Sequence, residues 1–255
     1  MPRYDFVSQR LFVEESLNPG AAIDLDRGQS NYLINVLRLK DQAPVLLFNG
    51  RDGEWQANLQ LLGRKKAALK IISQTRPQPQ VPAHDLHYLF APIKQARMEY
   101  MVQKAVEMGV STLQPVLTEF TQLRKLNLER MAAHAVEAAE QCGILNIPEI
   151  REPMTLGNLI GNFPADRHVL FCDEGEESQN PLIALQKHAT REDAPTPKLA
   201  VLIGPEGGFS PEERSQLRSL PNVTPVPLGP RVLRADTAAV AVLALVQATL
   251  GDWQD

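Results

Sequence analysis

Residues 199–213 read LAVLIGPEGGFSPEE, and three local signals follow one another along them. Leu199 to Ile203 is an apolar run of strand length and reads as a buried strand. It ends in the loop Gly204-Pro205-Glu206-Gly207-Gly208. Ser210 then suits a helix N-cap, Pro211 the first helical position, and Glu213 the closing residue of a capping box. The glycines let backbone amides approach a ligand and permit positive φ. The spacing matches neither Gly-x-Gly-x-x-Gly nor Gly-Lys-Ser/Thr, which excludes the usual nucleotide fingerprints. The plainer alternative is a tight strand-to-helix turn with no ligand.

Residues 228–238, LGPRVLRADTA, repeat the arrangement. A strand over Thr224 to Leu228 ends in a Gly229-Pro230 turn. Arg231 and Arg234 flank Val232-Leu233, and Asp236 or Thr237 is placed to cap a helix from Ala238 to Leu250. That helix is apolar nearly all round, which predicts burial or a subunit contact. Two Gly-Pro loops closing successive strands would line one crevice. Arg234, beside a helix start, suits an anion or a substrate oxygen that gains charge. Its alternative is a salt bridge with Asp236 or Glu206.

Upstream, strands and helices alternate. Leu86 to Phe90, Leu113 to Leu117 and His168 to Asp173 read as strands. Gln95 to Met108 carries Met98, Met101, Val102, Ala105 and Val106 at helical spacing, and Gly109 suits the stop. Asn127 can cap a helix from Leu128 to Cys142, with Leu128, Met131, Ala135, Ala139 and Cys142 as its buried stripe. Asn180-Pro181 starts another helix. The alternation predicts an α/β domain with a mostly parallel sheet covered on both faces, which binds ligands at the carboxyl ends of its strands.

The N-terminal part reads differently. Gln9 to Val13, Pro44 to Phe48, Glu54 to Leu61 and Ala67 to Ile72 are short strands between turn signals, with one helix within Ser30 to Leu39. A small β-barrel is expected. The stretch SQTRPQPQVPAHD, Ser73 to Asp85, holds three prolines and reads as an extended connector. The expected division is therefore a barrel over 1–73, a linker over 74–85 and an α/β domain over 86–255.

With 255 residues, 44% hydrophobic and 22% charged, the chain is not of a disordered or fibrous class. The run from Ala238 to Leu250 is too short to span a bilayer and contains Gln247 and Thr249. No signal-peptide pattern stands at the start. Two cysteines, Cys142 and Cys172, make no disulfide framework, which points to a reducing cytoplasm. No Cys-x-x-Cys or His-x-x-x-His pair suggests a metal site, and none is expected. The five histidines form no triad, and both thiols read as inert.

The net charge of -4 is uneven: residues 1–80 hold 11 basic and 8 acidic side chains, the remainder 15 and 22. A basic N-terminal part suits contact with phosphates. Arg3, Arg10, Arg38 and Lys40, with Tyr4 and Tyr32 nearby, are the candidate RNA contacts there. Lys94, Arg97 and Lys104 fall on one helix face, and Lys94 and Arg97 are candidates too. A solvated surface is the plainer alternative for both groups.

Taken together, the motifs resemble those of the bacterial small-subunit ribosomal RNA methyltransferase E family. They are Met1-Pro2-Arg3, VLRLK at Val36 to Lys40, QKAVEMGV at Gln103 to Val110, EAAEQCG at Glu137 to Gly143, and the two Gly-Pro segments, IGPEGGFSPEE and LGPRVLRADTA. They lie in family order across nearly the whole chain. The resemblance implies a PUA-like N-terminal barrel and a SPOUT domain with a deep trefoil knot. It also implies a cytoplasmic homodimer that uses S-adenosylmethionine to methylate N3 of a uridine in 16S rRNA. The cofactor would lie on Phe171, Cys172, Glu174, Ile203, Gly204, Pro205, Glu206, Gly207, Gly208, Leu228, Gly229, Val232, Leu233, Arg234, Thr237 and Ala238. Backbone groups would read most of it, in keeping with loops rich in Gly and Pro.

Three positions depart from the family pattern. Phe120 stands in Glu-Phe-Thr where Glu-Arg-Ser is common, Ile144 where arginine is frequent, and Asp236 where glutamate is usual. The two lost arginines weaken RNA contacts on that face. On this reading Arg234 donates to the developing uracil oxyanion; no residue announces itself as the base, Glu206 and Asp236 being candidates and solvent the alternative. The alternatives are 2′-O-ribose methylation on the same fold, a catalytically silent RNA-binding factor, and a nicotinamide enzyme, the last disfavoured by the absent fingerprint.

Overall fold

A computed structural model describes residues 8–79, 85–173, 180–189 and 198–254. The described chain divides into two compact units. One runs to Gln80 and takes in Ala139–Asn146; the other holds Val81–Ala138 and Ile147 onward.

The first unit is a five-stranded sheet. Its strands are β1 (Arg10–Phe12), β2 (Ala22–Asp24), β3 (Pro44–Phe48), β4 (Glu54–Leu61) and β5 (Ala67–Arg76), in the order β1-β3-β4-β5-β2. β1 pairs with β3 in parallel and the other ladders are antiparallel. Alternation along the strands sends Val45, Leu47, Ala57, Leu59, Leu69 and Ile71 into one core. Helix α1 (Arg27–Asn31) begins earlier than the Ser30 expected from the sequence, because Asp26 and Gln29 complete a capping box. A π-helical turn, Tyr32–Val36, follows and buries Leu33. Arg38, at φ 54, lies in the left-handed region just beyond.

β5 runs on to Arg76, past the Ile72 end read from the sequence and into the proposed connector. Its last residue closes a buried charge cluster. Arg10 Nε reaches Glu54 at 2.9 Å and Arg76 Nη2 reaches the same carboxylate oxygen at 2.7 Å. Ala139–Asn146 joins this unit through Glu140, which accepts from Phe12 N–H (2.8 Å), and Gly143 O, which accepts from Arg76 (2.9 Å).

The second unit is an α/β layer. After β6 (Leu86–Phe90) come α2 (Gln95–Glu107), β7 (Thr112–Leu117), α3 (Leu128–Cys142), β8 (Glu149–Ile150), β9 (Met154–Thr155) and α4 (Leu156–Gly161). Then follow β10 (Arg167–Cys172), α5 (Pro181–Ala189), β11 (Lys198–Ile203), α6 (Pro211–Ser219), β12 (Val223–Val226) and α7 (Ala235–Leu250). The strand order is β12-β10-β11-β6-β7-β8, with β9 beside the end of β7, and every pairing is parallel. Strands buried on both faces need apolar side chains at consecutive positions, as in Leu199–Ile203. Leu89, Val169, Phe171, Ala200 and Leu202 pack on one face with Leu156 and Leu159 of α4 and Leu217 of α6. On the other, α7 packs against β11, α2 and α5.

Helix α2 buries the five residues expected of its stripe, and Gly109 follows at φ 75. Asn127 caps α3 through a bond from Arg130 N–H (2.9 Å). Cys142 does not belong to the buried stripe: it is exposed, at the last position of the helix, whereas Met131, Ala135, Ala138 and Ala139 are buried. Among the described residues no helix is long and apolar enough to cross a membrane.

Candidate active site

Parallel strands bring successive loops to one edge of the sheet. β10 ends at Cys172, β11 at Ile203 and β12 at Val226, and the loops beyond them enclose a cleft of about 410 Å³. Of the residues proposed from the sequence, Cys172, Ile203, Gly204, Pro205, Glu206, Gly208, Leu228, Gly229, Val232, Leu233, Arg234 and Ala238 line it. Phe171 lies in the core beneath with 0% exposure, so only its backbone is available. Gly207 faces an adjoining hollow, and Thr237 is off the wall. Glu174 lies outside the described residues.

The first loop is tightly built. Gly208 sits at φ 69 and its N–H donates to Pro205 O at 2.9 Å, which closes the turn. A Cβ on Gly204 would stand 2.6 Å from the ring of Phe209. That ring is buried and packs edge-on against Phe171 at 4.9 Å. Ser210 Oγ accepts from Glu213 N–H (3.3 Å) and Glu213 accepts from Ser210 N–H (3.0 Å), so both arms of the expected capping box form.

The second loop is open. Gly229 takes φ 92, and Val232 is 85% exposed. Arg234, not Asp236 or Thr237, is the N-cap of α7; its backbone is extended and its carbonyl accepts from Ala238 N–H at 2.8 Å. Asp236 instead accepts from Thr237 N–H (3.0 Å). The alternative salt bridges of Arg234 with Asp236 and Glu206 are not formed among the described residues, and Arg234 is exposed and lines the cleft.

Asp173 falls within the loop expected to hold the cofactor, Phe171 to Glu174, but was not singled out; it lines the cleft just past β10. Its side chain is 0% exposed and is held by Arg214 (3.3 Å) and Arg218 (2.9 Å) of α6. Its partners lie more than forty residues away, so no local pattern announces it. Burial first, and the charge of Asp173 second, push the Cys172 thiol up to about 12. It stays protonated and unreactive.

The proposed RNA contacts scatter. Arg10 is corrected: at 4% exposure and paired with Glu54 it is a structural cation that RNA does not reach. Arg38 and Lys40 are exposed, and Arg3 lies outside the described residues. Lys94 is the exposed cap of α2 and Arg97 is half-buried. Lys104 turns to Glu107 (2.7 Å) and Tyr100, which breaks the stripe. The first unit has a hollow of its own, lined by Arg27, Gly28, Asn31, Asn35 and Lys65. Two cations with two amides suit a phosphate oxygen. Among the described residues no group of three His, Cys, Asp or Glu is placed to hold a metal ion.

Residues 79–247 match the family described as RNA methyltransferase domain, and residues 25–72 the RNA methyltransferase PUA domain. The chain is 28% identical to ribosomal RNA small subunit methyltransferase E of Rickettsia conorii, over 93% of this chain and 94% of that one. It is 30% identical to the protein of the same name from Synechocystis, over 96% and 78%. The fold superposes on ribosomal RNA small subunit methyltransferase E from Neisseria gonorrhoeae bound to S-adenosyl methionine, with TM-score 0.82, 25% identity and coverage of 96% and 99%. A Legionella pneumophila structure with bound cofactor SAM gives TM-score 0.80 and 29% identity, covering 94% and 97%.

Proposed function

The chain belongs to the ribosomal RNA small subunit methyltransferase E family, and from that premise we propose that it methylates N3 of one uridine in 16S rRNA. It is an S-adenosylmethionine-dependent rRNA methyltransferase. The observation that carries the finer reading is one cleft walled by two Gly-Pro loops and an exposed Arg234 with no ion-pair partner among the described residues.

The cleft suits this cofactor. The Ile203–Gly208 and Leu228–Leu233 loops offer backbone donors and acceptors, and the glycines leave room for close approach. Cys172, Ile203 and Val226 give it an apolar floor. When bound, the cofactor supplies an electrophilic methyl group.

Uracil N3 is a poor nucleophile until its proton leaves, after which charge spreads onto O2 and O4. Arg234 donates hydrogen bonds to the oxygen that gains charge, and so favours the reactive form of the base. Glu206 takes the N3 proton. It lines the cleft, Asp236 does not, and Asp173 is already held by two arginines. The loops hold the base in line for transfer, and such orientation is worth on the order of 7–11 kcal/mol in an ideal case. The target base leaves its stack to enter.

Arg27 and Lys65 of the first unit contact phosphates and position the RNA. The trefoil knot, the homodimer and the cytoplasmic location implied by the resemblance belong to this proposal. Val240, Ala241, Ala244 and Leu245 of α7 are left half-buried, which suits a subunit contact.

The test is nucleoside mass spectrometry of small-subunit RNA treated with this protein and S-adenosylmethionine. N3-methyluridine is expected. A 2′-O-methylated nucleoside would replace the base-directed reading with its ribose-directed rival, and an unmodified product would overturn both.

A further inference from the structure

Phe120 is 43% exposed, in the turn that follows β7. The turn is firmly held. Thr118 N–H donates to Thr121 Oγ1 at 2.9 Å, the two hydroxyls share a bond of 2.9 Å, and both threonines are buried. Glu119 N–H donates to Glu213 at 2.8 Å, which ties the turn to the start of α6. The root of the Phe120 side chain rests on the first Gly-Pro loop: a Cβ on Gly207 would lie 3.0 Å from Phe120 Cβ. Phe120 thus occupies a fixed place against a loop that has no side chain there to cover it.

The ring lines a hollow with Glu119, Gln122 and Gly207, and Glu206 lines both this hollow and the cleft. The two spaces therefore adjoin. A phosphate is a poor occupant, because two carboxylates, Glu119 and Glu206, stand at the hollow. A flat, uncharged π-face suits an aromatic ring, and every nucleobase presents one.

We infer that Phe120 stacks on the nucleobase next to the one that enters the cleft, and so positions the RNA for methyl transfer. The inference rests on the reading of the cleft as the site of that transfer. It makes Phe120 a positioning residue for the RNA, with no part in binding the cofactor.

The test compares Phe120→Ala, Phe120→Leu and Phe120→Trp in the full-length protein. Calorimetry reads S-adenosylmethionine affinity, and steady-state methyl transfer to small ribosomal subunits reads kcat and KM. Phe120→Ala and Phe120→Leu are expected to raise the KM for RNA by about 5- to 100-fold, the cost of one lost base–aromatic stack. Cofactor affinity stays within about twofold, and Phe120→Trp restores the KM. If Phe120→Leu behaves as wild type, the side chain is packing and not stacking, and the inference fails. It fails equally if KM is unchanged in all three, or if Phe120→Ala dissociates a dimer, which would make a second copy the occupant. Wild-type protein that binds no S-adenosylmethionine would overturn the reading of the cleft itself, a result separable from any change in KM.

Discussion

The two ends of the parallel sheet are built on opposite plans. At the amino end Arg167 is 6% exposed and turns both terminal nitrogens to the starts of neighbouring strands. Nη1 donates to Asp85 O (2.9 Å) and Leu199 O (3.0 Å), and Nη2 to the Asp85 carboxylate. Ser111 and His87 approach the same carboxylate at 3.3 and 3.1 Å. One cluster thus pins the starts of β6, β10 and β11. At the carboxyl end Arg234 has no such partner, Val232 stands in solvent, and glycines replace side chains. Both ends thus hold a buried, paired charge, Arg167 at one and Asp173 at the other, but only the carboxyl end adds an exposed arginine without an ion-pair partner among the described residues. The difference teaches that a guanidinium without partners is the one to test for a part in the chemistry, and one held by a carboxylate is the one to test for stability.

The largest expected effect breaks that contrast at its functional end. Arg234→Ala should lower kcat by about 10²–10³, the usual loss for one donor to a developing oxyanion. The urea midpoint should barely move, because an exposed side chain without partners contributes within about 0.5 kcal/mol. Single-turnover methyl transfer checks the rate, and near-normal turnover would remove Arg234 from the chemistry.

Arg167→Ala should do the reverse. Breaking a buried ion pair costs about 3–5 kcal/mol. Asp85 is 40% exposed, so about 2–3 kcal/mol is the better expectation here. Turnover per folded molecule should persist. An urea series gives the stability, and an unchanged midpoint would mean the amino end is not a clamp. The same cluster carries a pH response. Burial, then the charge of Arg167, pushes the His87 imidazole from 6.5 down to about 4, against the pull of Asp85. Burial also works to raise the Asp85 carboxyl, but the Arg167 hydrogen bond and charge prevail and hold it below the usual range. An unfolded chain therefore takes up a proton on His87 below about pH 6.5 that the folded one refuses until about 4. Stability is fully present above 6.5 and falls as pH drops towards 4. In His87→Gln that part of the fall should vanish; an identical fall would assign it to other groups.

Next in size is Gly204→Ala. The added methyl meets Phe209 at 2.6 Å, and Phe209 is seated on Phe171. Overpacking of this kind costs about 1–3 kcal/mol. Because the loop it distorts lines the cleft, S-adenosylmethionine affinity should drop as well. Calorimetry showing wild-type affinity would place that loop outside the binding site.

How far sequence reading reached follows from how local each constraint is. Pro44–Phe48, Glu54–Leu61 and Leu86–Phe90 declare themselves as strands because a run of apolar or alternating residues carries its own period. The Gly-Pro loops were legible for a similar reason: glycine, proline and a capping box act within a few residues. β8 and β9 have two residues each and no period to read, so they were missed along with α4. Arg10 looked like an RNA contact because its partner, Glu54, lies 44 positions away. Phe120 stood out only as a departure from a pattern, and the surroundings of Phe120 and Asp173 stayed hidden because their partners come from the Gly207 loop and from α6. Charge and composition say which side chains exist; only the packed chain says which of them are already satisfied.

The smallest effect sharpens the comparison within the carboxyl end itself. Ser210 is 1% exposed and closes the capping box at the start of α6. Removal of a serine cap costs about 0.5–2 kcal/mol. Ser210→Ala should lie in that range, and Ser210→Thr should recover most of it, since the hydroxyl is retained. α6 also carries Arg214 and Arg218, which hold Asp173 at the cleft wall, so a frayed helix start loosens two sides of the site at once. Methyl transfer should nevertheless fall only a few-fold, because Phe209 and the Gly208 turn still fix the loop from within. If Ser210→Ala abolishes cofactor binding, the order of that loop comes from α6 and not from its own glycines. The tight half of the cleft would then depend on the helix behind it.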